Sequence, residues 1–173
     1  MDRFERLLIE EIPRLRRYAR ALTGDPSQAD DLVQECLERA ISRRRLWLAS
    51  RQLRPWLLTI MHNLHANEVR RAHARSRSHA ALREAGEVAL GETLAADRVD
   101  GVALRDLDLA LGTLPEEQRA AVLLVGLEGL SYRDAAKVLS VPIGTLMSRL
   151  SRGREKLREA LDPEVRMASR RTR

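Results

Sequence analysis

The chain has 173 residues, 44% hydrophobic but only 3% aromatic, which suits one ordinary domain or two small ones with aliphatic cores. It carries 31 Lys and Arg against 25 Asp and Glu, a net +6, and Lys137 and Lys156 are the only lysines. Cys36 is the single cysteine, which excludes an intramolecular disulfide and a cysteine-held zinc, and no apolar run approaches membrane-spanning length.

Phe4, Leu8, Ile12, Leu15, Ala19 and Leu22 recur at helical spacing, and Thr23-Gly24 ends that first helix. Asp25-Pro26 starts a second, with Asp25 as N-cap and Pro26 at the first helical position, where a missing N–H costs nothing. Ala29, Leu32, Val33, Cys36, Leu37 and Ala40 form its inner stripe, on which a buried, inert thiol is expected. Asp30, Asp31, Gln34, Glu35 and Glu38 form the opposite face.

No acidic residue follows Glu38 until Glu68, and this window holds Arg39, Arg43, Arg44, Arg45, Arg51 and Arg54. Residues 42–54 read as a loop or irregular turn. Pro55 then opens a long helix with Trp56, Leu57, Ile60 and Leu64 inside, running on into Arg70-Arg71-Ala72-His73-Ala74-Arg75. A basic surface without carboxylates repels itself unless an anion binds there, although a solvated cationic face gives the same pattern.

Residues 76–100 lack a firm apolar stripe and read as a flexible linker, with a short helix near 80–89. Periodicity returns with Val102, Leu104, Leu107, Leu109 and Leu111, and Pro115 starts a helix through Ala121, Val122, Leu124 and Val125. Charge follows the same division. Residues 1–80 hold 16 Arg and 10 acids, 81–118 hold 3 Arg and 9 acids, and 119–173 hold 12 basic residues and 6 acids. Two basic blocks flanking an acidic connector point to two nucleic-acid-facing modules.

The second module contains the most informative stretch. Ser131 can cap a helix whose compact inner face is Ala135, Ala136, Val138 and Leu139. Pro142 and Gly144 interrupt it. A new helix then carries Thr145, Leu146, Arg149, Leu150, Arg152 and Arg154 with one apolar and one cationic side. That is the layout of a helix-turn-helix whose second helix enters the DNA major groove; a helical hairpin inside a bundle is the alternative. The expected fold is all-α, with helical domains at 1–77 and 102–162, a linker at 78–101 and a basic tail at 163–173. The N-terminus Met1-Asp2-Arg3-Phe4-Glu5 is no signal peptide, so a soluble, cytoplasmic protein without membrane insertion is expected.

Three blocks in this order resemble the sigma-70 family of bacterial transcription initiation factors, with the compact extracytoplasmic-function (ECF) group the nearest match. Asp30-Asp31-Leu32-Val33-Gln34-Glu35-Cys36-Leu37-Glu38-Arg39-Ala40 is similar to the family's region 2.2. Arg54-Pro55-Trp56-Leu57-Leu58-Thr59-Ile60-Met61-His62-Asn63-Leu64-His65-Ala66-Asn67-Glu68-Val69-Arg70-Arg71 is similar to the part that reads the minus-10 element. Leu114-Pro115-Glu116-Glu117-Gln118-Arg119 with the helix-turn-helix is similar to region 4, which reads the minus-35 element.

The resemblance implies a two-domain specificity subunit that does no covalent chemistry and needs no metal or cofactor. Asp31, Leu32, Gln34, Glu35 and Glu38 would meet the clamp helices of the RNA polymerase β′ subunit, and region 4 would meet the β flap. Trp47, Arg54, Asn63, Arg70, Arg71 and Arg75 would serve the minus-10 element, with Asn63 near the pocket for an extruded base and Trp47 stacking on bases. Trp56 is expected in the core. Thr145, Ser148, Arg149 and Arg152 would face the minus-35 element, Arg149 and Arg152 at base edges, with Tyr132, Arg133 and Arg154 flanking. Asn67 and Met147 depart from the family's frequent Asp and Lys. The resemblance further implies an anti-sigma factor over the polymerase-binding surfaces, and a linker that threads polymerase channels; a simple charged tether fits the linker equally.

Rival readings exist. As an enzyme, the chain would hold a metal with His62, His65 and His73, which lie on one predicted helix with Glu68, yet no HExxH pattern accompanies them. A regulator binding DNA without polymerase, or a sigma-like decoy for an anti-sigma factor, would share the helix-turn-helix. Two intact basic blocks and the lack of an attached receiver domain weigh against the decoy.

Overall fold

Local caps fix the starts of the first two helices. The computed structural model describes residues 2–50, 52–80 and 100–162, and every regular element among them is helical. Asp2 accepts from the Glu5 amide at 2.9 Å while Glu5 accepts from the Asp2 amide, a capping box that opens α1 (Arg3–Thr23). Gly24 closes α1 at φ 71°, the left-handed region that glycine enters without penalty. Asp25 accepts from the Gln28 amide at 2.8 Å, and Pro26 is the first residue of α2 (Pro26–Ser42), as its residue type predicts.

Against α1 and α2 lies the long α4 (Leu53–Ala80). Leu8, Leu15, Leu22, Leu32, Val33, Cys36, Leu57 and Met61 fill the space between them. The loop expected at residues 42–54 is corrected. A break at Arg43 leads into the short α3 (Arg44–Ser50), because neither Gly nor Pro interrupts a run of good helix formers there. Trp47 anchors α3, its ring centroid 5.2 Å from that of Phe4. Trp56 lies 6.4 Å from the same ring and packs, half-buried, against the core.

The second half holds α5 (Asp100–Gly112), α6 (Glu116–Val122), a π-helical turn (Leu123–Leu127), α7 (Tyr132–Val138) and α8 (Ile143–Leu161). Ser131 accepts from the Asp134 amide and opens α7, as expected. After α7 the amides of Ser140 and Val141 donate to the Lys137 and Ala136 carbonyls, the Schellman pattern, with Ser140 at φ 53°. Leu146, Leu150, Gly153 and Leu157 are the buried stripe of α8. In α5 the expected leucine stripe is corrected: Leu104, Leu107 and Leu109 are exposed, while Ala110, Leu111 and the following Leu114 are buried. The helix expected near 80–89, most of the linker and the 163–173 tail lie outside the described residues.

The two halves touch. α1 packs on α6 and the π turn, α4 packs on α7, and one hydrophobic cluster extends through both halves.

Candidate functional site

On α2 the polar face stands clear of the core. Asp31, Gln34, Glu35 and Glu38 are exposed, with Gln34 donating to Glu38 at 3.1 Å and Arg39 to Glu35 at 3.1 Å. Leu32 turns inward, 8% exposed, and supports this face from beneath. The result is a carboxylate-rich ridge on an otherwise basic protein, suited to a cationic partner.

On α4, Asn63, Asn67 and Arg70 fall on one solvent-facing side by their spacing of four and three, and Arg70 donates to Asn67 Oδ1 at 2.6 Å. Arg71 is exposed, and Arg75 pairs with Glu68 at 3.0 Å. Trp47 and Arg54 stand apart from this stripe. Trp47 is half-buried against Phe4, and Arg54 forks onto Glu11 of α1 at 2.9 and 3.0 Å. Both tie elements together in this conformation.

On the helix-turn-helix, Tyr132, Arg133, Ser148, Arg152 and Arg154 are exposed and Thr145 is half-buried. The Ser148 hydroxyl donates to the Thr145 carbonyl at 2.9 Å. Arg149 does not point outward. Its guanidinium is 2.8 Å from Glu117 of α6, and its side chain is only 22% exposed. Helical phase sets Arg149 beside the buried Leu146 and Leu150, and on that flank Glu117 of α6 takes its guanidinium.

Residue-type reasoning missed the polar groups along the seam between the halves. Arg119 donates to the Leu22 carbonyl at the end of α1 at 3.0 Å, and to the Gly112 and Leu114 carbonyls at 3.0 and 3.2 Å. Glu128, just past the π turn, is 8% exposed with Arg17 at 3.7 Å. Burial pushes its carboxyl up, against the pull of Arg17. Beside it, burial pushes the Tyr18 phenol up, with Glu128 adding to the shift. His65 lies 3.4 Å from Glu116, and burial with Arg119 nearby holds its imidazole below the usual range. Burial, then His65 and Arg149, bring His62 down to about 4. The links from Arg119 to Leu22, Arg17 to Glu128 and His65 to Glu116 join residues far apart in sequence, so no local pattern announces them. Of the histidines on α4, His62 and His65 lie on this seam, and among the described residues no three His, Cys, Asp or Glu side chains gather as a metal site.

Comparison with known proteins fits these surfaces to a family. The sigma-70 region 4 profile matches residues 104–157, and the profile of the Sigma2 domain of PhyR matches residues 8–62. The ECF RNA polymerase sigma factor EcfG of Rhodopseudomonas palustris is 34% identical over 152 residues, covering 87% of this chain and 80% of the relative. The chain belongs to the ECF group of sigma-70 factors. The sigma factor RpoE of Bartonella quintana, solved with the anti-sigma factor NepR, has 32% identity and a TM-score of 0.76, over 91% of this chain and 96% of that one. The anti-anti-sigma factor PhyR from the same organism, 17% identical with a TM-score of 0.59 over 91% of this chain and 50% of that one, shares the fold. As an ECF sigma factor, the protein binds core RNA polymerase and promoter DNA and directs promoter-specific initiation. No helix among the described residues is long and apolar enough to cross a membrane.

Proposed function

We propose that this sigma factor acts in the cytoplasm as a non-catalytic subunit, using the α2 ridge and the two DNA-facing surfaces at once. Asp31, Gln34, Glu35 and Glu38 receive the β′ clamp helices, with Leu32 setting their height. Asn63, Arg70, Arg71 and Arg75 serve the minus-10 element from α4, and Trp47 and Arg54 join them once released from Phe4 and Glu11. Region 4 docks on the β flap and sets α8 in the major groove, where Ser148 and Arg152 face the minus-35 bases and Tyr132, Arg133, Thr145 and Arg154 hold the flanks. Arg149 reaches a base edge only by leaving Glu117. An anti-sigma factor, of the kind solved with RpoE, holds the protein inactive by covering the polymerase-binding surfaces.

The observation that supports this most is the separation of charge by helix. An acidic face on α2 and cationic faces on α4 and α8 belong to one chain, so polymerase and DNA are gripped from different sides. The test is in vitro transcription of a genomic fragment library by bacterial core polymerase with and without the protein. Discrete new start sites sharing two spaced upstream elements are expected. The match of residues 8–62 to the PhyR Sigma2 domain favours a second role, capture of an anti-sigma factor. Core binding without new start sites would support that role instead.

A further inference from the structure

The outer face of α8 carries a pair of apolar side chains. Ile143 and Met147, one turn apart, are 50% and 51% exposed. The buried stripe of α8 lies elsewhere, on Leu146, Leu150, Gly153 and Leu157, so neither residue belongs to the core. The polar groups around them are partly committed. Ser148 donates its hydroxyl hydrogen to its own helix, Arg149 is held by Glu117, and Arg152 is the exposed guanidinium of these turns.

Three features separate this pair from a protein-docking stripe. It is confined to the first turns of the helix, it is bordered by Ser148, Ser151 and Arg152, and no further exposed apolar side chain extends it down α8. The first turns of a recognition helix are the part that meets base edges. In the major groove one base presents an apolar group, the C5-methyl of thymine, and apolar side chains distinguish it from the other bases. A thioether is flexible and polarizable enough to follow that methyl without exact fit.

We propose that Met147, backed by Ile143, reads the C5-methyl of a thymine in the minus-35 element and is a specificity-determining residue of this sigma factor. The proposal rests on the placement of α8 in the major groove. Burying one methyl's worth of apolar surface gives about a fourfold effect on binding.

The probe is promoter DNA in which each minus-35 thymine, on either strand, is singly replaced by deoxyuridine, which removes only the methyl. Holoenzyme built with this protein should lose about fourfold in binding at one position. Holoenzyme with Met147→Ala should show no loss at that position, and the exposure of Met147 leaves folding intact. The proposal is overturned if no thymine position responds, if both holoenzymes lose equally, or if the element has no thymine. Start sites without any shared upstream element would instead remove the placement of α8 itself, which is a different result from an element whose methyls do not matter.

Discussion

Gly153 sits where α8 crosses α6, and a Cβ there would stand 2.7 Å from Val122 Cγ2 and 3.3 Å from the Gln118 carbonyl. Val122 is β-branched and held to one rotamer in its helix, so it cannot swing its methyl aside. Gly153→Ala should therefore destabilise the protein by about 1–3 kcal/mol in urea denaturation, an overpacking cost. Cys36 makes the opposite case, a side chain that chemistry cannot reach. It is fully buried, its Sγ lies 3.6 Å from the Leu57 carbonyl, and burial pushes its thiol up to about 12. Native protein should resist a thiol-specific disulfide reagent, and the chain unfolded in guanidinium should react at once. The inward position of Cys36 was legible in the sequence because its neighbours four before and four after, Leu32 and Ala40, are apolar. The partner of Arg149 was hidden for the converse reason: its charge suggested the DNA, while it stands beside Leu146 and Leu150 at the edge of the core and pairs with Glu117 in this conformation. Glu117, 32 positions earlier, was beyond any local pattern.

Two elements carry predictions of their own. The end of α7 has the hydrogen bonds of a glycine-closed helix but a serine at φ 53°. Ser140→Gly should relieve that backbone and raise stability by about 0.5–1 kcal/mol, read as a higher Tm. On α4, His62 has a folded pKa of about 4, below its unfolded value near 6.5, so the unfolded chain takes up the proton first. Stability should fall as pH drops from about 6.5 towards 4, by roughly 2 kcal/mol from this residue. Glu116 and Glu128, whose carboxyls burial pushes up, work in the opposite sense over the acidic range. The comparison that isolates the histidine is therefore denaturation at pH 7 and pH 5 for the protein and for His62→Leu, which should lose much of the slope. Helices α1, α2 and α7 could be read in advance because an apolar period and a cap agreed at each. The α3 segment had neither cap nor stripe, and its Arg-rich run looked like a loop. In α5 the leucines were frequent but their spacing of two and three wandered around the helix, so only part of them reached the core.

At the scale of the whole molecule the sequence showed two modules and their order, but not their contact. Every link across the seam joins residues dozens of positions apart: Arg119 to Leu22, Glu128 to Arg17, Glu116 to His65. Arg119 is the strongest of these, since one guanidinium satisfies carbonyls at the ends of two helices. Arg119→Ala should cost about 2–3 kcal/mol in denaturation, and Arg119→Lys should recover only part of it, because an ammonium lacks the fork. Calorimetry of the unmodified chain should show one transition, since both halves share a continuous core, and Arg119→Ala should broaden or split it. The shared seam also sets a toll on association. A partner that needs the halves apart can use only the fraction of chains already apart, so its apparent affinity is the intrinsic one multiplied by that fraction. Loosening the seam would then make the protein less durable and, for such a partner, easier to capture.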